Sequence, residues 1–297
     1  MQPFVVKAPA TSANLGPGFD CAGAALDLWN ELHVLPAEEG EPLVVVEGLG
    51  ADEVPHDETH LALRAFQKLT PLKGHRFHFV NRIPLERGLG SSSATVAAGL
   101  IAGQVAGGRP EDLLELGLPL EGHADNLAPA LLGGVCLIWR DGERFAAQQI
   151  ATELPLDPVV VIPQARVSTQ ASRARLPETL PHREAALAAA QAALLGAAIA
   201  SGDPDLLAAA FQDRLHEPFR HADAPLLAAL RSDLPPGAAG ATLSGSGPSV
   251  VVWAQKGRAD EVADALRERR LDADVLPIAI ASGGTHADMK DTIGAAQ

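Results

Sequence analysis

Two glycines and three consecutive serines stand where an apolar helix should begin, in Pro84-Leu-Glu-Arg-Gly-Leu-Gly-Ser-Ser-Ser-Ala-Thr95, ahead of the apolar run 96–102. Gly88 and Gly90, with Leu89 between them, let the backbone fold closely around a ligand, while Ser91, Ser92 and Ser93 offer hydroxyls and helix-capping chemistry. The unpaired N–H groups and positive dipole end of such a helix suit a phosphate. Taken alone, the same residues equally describe a Gly/Ser turn capping an ordinary helix. Gly90-Ser-Ser-Ser-Ala94 also imitates the nucleophile elbow of a serine hydrolase, with His123 and Asp125 as base and orienter. Against that reading, a His and an Asp two residues apart on one segment do not easily align as base and orienter, and three serines suit phosphate oxygens better than one nucleophile. The G-x-x-x-x-G-K-[ST] phosphate loop is absent, as is a strand–GxGxxG–helix dinucleotide unit.

Four other segments carry polar chemistry. Pro9-Ala-Thr-Ser-Ala-Asn-Leu-Gly-Pro-Gly-Phe-Asp20 reads as a loop in which Asn14 and Asp20 either hold a small polar substrate or shape an Asx turn. Residues 120–134 pack Glu121, His123, Asp125 and Asn126 just before a Gly-Gly pair, which suggests a site or a capped helix start near Asp125. Ser168 or Thr169 caps a short helix carrying Arg173 and Arg175, and Gly240-Ala-Thr-Leu-Ser-Gly-Ser-Gly-Pro-Ser249 is a second Gly/Ser turn. His56, His60, His75 and His78 lack a third ligand in register and read as solvated.

Elements must position these groups. Strands are expected at 4–8 (ended by Pro9), 43–47, 76–82, 135–139, 158–163, 240–253 (around the Gly/Ser turn) and 275–280. Helices are expected at 58–69, after the serines, at 109–116 behind Pro110, at 183–200, at 204–215 behind Asp203 and Pro204, at 224–234 and at 259–270. His216-Glu-Pro-Phe-Arg220 closes the pair of Ala/Leu-rich helices, which read as scaffold. A composition shift at 141–157 divides the chain into domains 1–152 and 153–297, the second an α+β sandwich of ferredoxin-like type ending in a loose tail from 282.

The 297 residues carry a net charge of −14, which argues against nucleic acid or an anionic membrane as partner. A phosphate ligand must therefore be held by local devices: helix N-termini, a divalent cation and a few arginines. No apolar run approaches membrane-spanning length, and the N-terminus lacks a signal-peptide pattern. Two cysteines, Cys21 and Cys136, outside any metal spacing, fit reduced thiols in a cytoplasmic protein.

Residues 9–20, 84–95 and 243–252 resemble, in order, the three motifs of the GHMP small-molecule kinases. Within that superfamily, the strings at 9–20 and at 121–134 are similar to the homoserine kinase family. The resemblance implies an α+β fold: an N-terminal ribosomal-S5-domain-2-like α/β domain, a C-terminal ferredoxin-like domain and an active site between them, with a homodimer left open. It implies ATP phosphates along Pro84, Arg87, Gly88, Leu89, Gly90, Ser91, Ser92 and Ser93, and Mg²⁺ on Ser92 and Glu121. It further implies L-homoserine held by Asn14, Asp20, His123 and Asn126, its carboxylate on Arg173 and Arg220. Asn126 would orient the hydroxyl, since no aspartate base is obvious. Relatives often carry small residues where Glu86 and Arg87 stand; these two are expected to pair with each other.

Overall fold

The computed structural model describes residues 2–288 apart from 110 and 223. The chain builds two sheets. The first holds β1 (Phe4–Ala13), β2 (Ala22–Pro36), β3 (Val44–Gly48), β4 (His75–Asn81), β5 (Val135–Asp141), β6 (Arg144–Ala151) and β11 (His286–Asp288). Its spine runs β11-β1-β2-β4-β3, with the β5–β6 hairpin attached to the start of β2, and only β3–β4 pair in parallel. β4 shows why such segments are strands: Phe77, Phe79 and Asn81 alternate inward, while Arg76, His78 and Val80 lie half-buried on the other face.

On this sheet lie α1 (Leu61–Phe66), α2 (Ser91–Val105), α3 (Leu113–Glu121) and α4 (Ala124–Leu132). α2, α3 and α4 pack on one another through Val96, Leu100, Leu114 and Leu127. α3 starts at Leu113 behind an Asp112 cap, four residues later than expected, and Pro110 lies outside the described residues.

The second sheet has the order β10-β7-β9-β8, all antiparallel, from β7 (Leu156–Pro163), β8 (Ala238–Leu243), β9 (Val250–Gln255) and β10 (Ala273–Pro277). In chain order this is 4-1-3-2, the ferredoxin-like arrangement anticipated above. One face is covered by α8 (Pro225–Ser232) and α9 (Ala259–Glu268), through Leu227, Leu230, Val262 and Leu266. The opposite face, with Val160, Ile162, Val251 and Trp253, joins a core shared with Phe4, Leu32 and Phe79 of the first sheet. α6 (His182–Ser201) and α7 (Pro204–Ala210) add Leu195, Ile199 and Leu207 to that core. α5 (Thr169–Arg173) is a single short helix capped by Ser168.

Several expectations need correction. β1 does not stop at Pro9. It continues to Ala13, and the register slips between Pro9 and Ala10, a bulge that accommodates the missing N–H. The long strand β2 and the strand β6 were not anticipated; β2 opens Ala-Gly-Ala-Ala and so lacks a strong β signal. The segment from 282 is not all a loose tail: Thr285 donates to the Ala130 carbonyl and β11 pairs with β1, so the unit expected at 153–297 returns to the first sheet. α7 ends at Ala210 rather than 215. By length and composition α6 could cross a bilayer, contrary to the expectation that no apolar run reaches that length. In this fold it packs on α7 instead and contributes to the shared core.

Candidate active site

Three Gly/Ser segments far apart in sequence are stitched together between the sheets. Thr11 N donates to Leu89 O at 3.0 Å and Gly245 N to Ala13 O at 3.2 Å. Ser244 Oγ lies 2.6 Å from the Gly88 carbonyl and 2.9 Å from Ser12 Oγ; having one proton, it donates to the carbonyl and accepts from Ser12. Glycine is required at the seam. A Cβ on Gly88 (φ +73) would stand 2.3 Å from Ser244 O, and one on Gly90 (φ +64) 1.8 Å from Thr11 Oγ1.

The seam forms one wall of a cavity of about 430 Å³ lined also by the apolar Val54, Pro55, Leu61 and Leu85 and by the charged Asp20, Arg173 and Arg220. Of the residues singled out from sequence, Asn14, Asp20, Pro84, Arg87, Gly88, Leu89, Gly90, Ser91, Ser92, Glu121, His123, Asn126, Arg173 and Arg220 all line it. Ser93 does not: it is fully buried behind the wall.

The three serines divide their work. Ser91 Oγ turns inward to the Ile83 carbonyl at 3.3 Å, and Ser93 Oγ donates to Glu121 Oε1 at 2.7 Å. Ser92 alone is exposed, at the first turn of α2. Glu121, at the end of α3, has its side chain only 4% exposed, and its second oxygen, Oε2, is buried without a hydrogen-bond partner. A carboxylate oxygen left unpaired in a buried position beside the mouth of an anion cradle has the chemistry of a cation ligand. Ser92 and Glu121 therefore fit a divalent cation.

Around Phe19 the acidic and basic groups are interleaved. Asn14 Oδ1 accepts from Asp20 N at 3.0 Å, while Asn14 Nδ2 donates to Gly245 O at 3.2 Å, so Asn14 is a turn residue as well as a wall. Asp20 is held by Arg173 through two bonds, and Arg173 and Arg220 both lie over the Phe19 ring, 5.4 and 5.5 Å from its centroid. Arg220 is 2% exposed, an unusual burial for a guanidinium, and donates from Nη1 to Gly245 O at 3.0 Å. Asn126 Oδ1 accepts from Thr11 Oγ1 at 2.8 Å.

His123, the N-cap of α4, faces Glu121 at 3.8 Å, and that contact holds its pKa above the usual histidine value. Asp125 is buried; desolvation, then the charge of Asp20, pushes its carboxyl up to about 6. His123 thus pairs with Glu121 and not with Asp125, so the base and orienter of the hydrolase reading do not meet. The hydrolase arrangement is not formed.

Sequence reasoning missed the apolar lining of the cavity, Val54, Pro55, Leu61 and Leu85, whose only signal is their nearness to the cradle in the fold. It also missed Thr11 as the partner that fixes Asn126. Arg87 does not pair with Glu86: its Nη1 donates to the Pro163 carbonyl, fastening the cradle to β7. His60 is not solvated but buried, its Nδ1 capping α1 by accepting from Ala62 N.

Comparison with known proteins agrees with this architecture. The model of the GHMP kinases N terminal domain matches residues 59–134 and that of the GHMP kinases C terminal domain matches 185–270. The homoserine kinase of Synechococcus sp. is 38% identical over 96% of this chain and 98% of the relative. That of Clavibacter michiganensis is 42% identical over 83% of this chain and 81% of the relative. A crystal structure of homoserine kinase from Cytophaga hutchinsonii superposes with a TM-score of 0.83 at 25% identity, covering 97% of this chain and 98% of that one. Leishmania major mevalonate kinase with R-mevalonate, at 17% identity and a TM-score of 0.69 over 92% of this chain and 94% of that one, shares the fold. Matched in both halves and similar along nearly its whole length to such relatives, this chain belongs to the GHMP kinases, in the branch of the homoserine kinases.

Proposed function

We propose that the protein transfers the γ-phosphoryl group of ATP to the side-chain hydroxyl of L-homoserine, giving O-phospho-L-homoserine and ADP, a step of threonine biosynthesis. The observation that carries this reading is one cavity lined both by the N-terminus of α2 and by a set complementary to an amino-acid zwitterion, Asp20 with Arg173 and Arg220.

The roles follow from the chemistry of each group. The backbone N–H groups at Gly90–Ser92 and the dipole of α2 receive phosphate charge, and the apolar lining at Val54, Pro55 and Leu61 suits the adenine ring. Ser92 and Glu121 would hold Mg²⁺, whose contribution when bound is to neutralise phosphate charge as the γ-group transfers. Arg220 and Arg173 receive the carboxylate of homoserine and Asp20 its ammonium. Asn126, whose Oδ1 accepts from Thr11, would offer its Nδ2 amide to the hydroxyl. The hydroxyl oxygen bonds to the γ-phosphorus, the bond to the bridging oxygen of ADP breaks, and the hydroxyl proton passes to an oxygen of the transferred phosphoryl group and from there to solvent. Positioning and charge stabilisation supply the catalysis. Such chemistry on a free amino acid belongs in the cytoplasm.

A coupled ADP-release assay with homoserine, mevalonate, shikimate and galactose tests this. Turnover of homoserine well above the other three is expected; strong turnover of another acceptor with none of homoserine would sink it. ATP or amino-acid binding without any ADP release would make the protein a sensor instead.

A further inference from the structure

The buried histidine at the start of the 3-10 turn Glu217–Phe219 has no role in the reading above, yet its two ring nitrogens are both committed. His216 is 0% exposed. Its Nδ1 lies 3.0 Å from Arg220 Nη1, and its Nε2 lies 2.9 Å from the Gly16 carbonyl. A guanidinium only donates and a carbonyl only accepts, so one tautomer satisfies both contacts: Nε2 carries the proton and Nδ1 accepts from Arg220. The ring cannot take a second proton without breaking the contact to Arg220.

The ring is itself clamped. It stacks on Phe19 with centroids 5.1 Å apart and planes inclined 21°. Its backbone N–H donates to Asp213 Oδ2 at 2.8 Å, and the Glu217 N–H donates to the same oxygen at 2.7 Å. Gly16 and Phe19 belong to the turn between β1 and β2 that presents Asn14 and Asp20, so His216 ties Arg220, at the end of the 3-10 turn, to that turn. Arg220 lines the cavity, and its Nε is buried without a hydrogen-bond partner.

We propose that His216 is a positioning residue for acceptor binding: as a hydrogen-bond acceptor at Nδ1 it fixes the rotamer of Arg220 so that the guanidinium faces the carboxylate of the amino acid. This rests on the reading of Arg220 as a carboxylate receptor. His216 touches neither substrate, so its effect should fall on acceptor recognition and not on the nucleotide.

Two isosteric variants separate this role from simple packing. His216→Asn places an amide oxygen near the position of Nδ1 and keeps an acceptor for Arg220. His216→Gln places an amide N–H near the position of Nε2, keeping the Gly16 bond while losing that acceptor. Steady-state kinetics should show His216→Gln with a KM for homoserine raised at least about tenfold and a KM for ATP changed less than about twofold. His216→Asn should stay within about threefold of the parent for both substrates. Equal KM values for homoserine in the two variants, or a parallel rise in both KM values, overturns the assignment. A parent protein that does not phosphorylate homoserine at all overturns the functional reading instead. Should His216→Gln fail to fold, ¹⁵N NMR of the parent protein reads the same contact: an unprotonated Nδ1 whose shift moves on addition of homoserine supports it, and a protonated Nδ1 refutes it.

Discussion

Arg173 and Asp20 meet across 153 residues of sequence through two hydrogen bonds, Nη2 to Oδ1 at 2.6 Å and Nη1 to Oδ2 at 3.0 Å. Each side chain is 44% exposed, so water screens the pair and its net worth is about 1 kcal/mol or less. That is weak enough to be exchanged. A zwitterionic amino acid brings an ammonium and a carboxylate together, and it can replace each partner for the other without leaving either charge unmatched.

Replacing Arg173 with Ala should therefore raise the KM for homoserine by about 10- to 100-fold, the value of a charge-assisted bond, while changing the KM for ATP little. Equal damage to both constants, measured by initial rates, would place Arg173 elsewhere in the mechanism.

Glu121→Gln removes the charge that a cation at the buried Oε2 would need. The concentration of Mg²⁺ giving half-maximal rate should rise about tenfold or more, and kcat should fall roughly 10²-fold. Ser93→Ala, which only frees Glu121 Oε1, should produce the same change to a smaller degree. An unaltered Mg²⁺ titration for Glu121→Gln would show that the carboxylate does not serve the metal.

Gly88→Ala places a Cβ 2.3 Å from Ser244 O and 2.9 Å from Gly247 O at a φ of +73. Backbone carbonyls cannot give way as a side chain can, so we expect a loss of about 2 kcal/mol or more in denaturant melts and a raised KM for ATP. A variant as stable as the parent would mean that the seam between the sheets is soft.

Asp125 offers a pH test. Burial, and secondarily Asp20, raises its carboxyl from 3.8 to about 6, so the folded state holds this proton more tightly than the unfolded chain. The carboxyl costs nothing below pH about 4, costs progressively more up to pH about 6 and costs its full amount above, about 3 kcal/mol for a two-unit shift. Asp125→Asn should therefore be the more stable protein at pH 8 and lose that advantage at pH 4. Thermal melts across that range would refute the assignment if the difference did not change with pH.

The cradle was legible because its chemistry is local: glycines where φ is positive and serines at a helix start. The segment 9–20 was legible only in part, since its first residues belong to β1, and the two arginines were named by the family resemblance rather than by their neighbours in sequence. What relates them was not. The bond between His216 and Gly16 spans 200 residues, and nothing in either segment announces the other. The opening of β2 was illegible for a physical reason: Gly23 faces the Asp125 carbonyl so closely that a Cβ would lie 2.0 Å from it, and strand-favouring side chains are excluded there. Pro9 misled because a bulge lets a strand pass through a residue that usually ends one. Glu86 and Arg87 read as neighbours that pair, whereas Arg87 finds a carbonyl 76 residues away.

The core that runs without interruption from Phe4 and Phe79 to Val251 and Trp253 has a consequence for how the protein comes apart. Neither sheet can shed its partner without baring apolar surface on both. The chain also crosses between the halves twice, once into β7 and once from β10 toward β11, with Ile278 N bonded to Pro158 O beside the first crossing. The two halves are therefore expected to melt together, in a single cooperative transition, although they carry two separately named family regions.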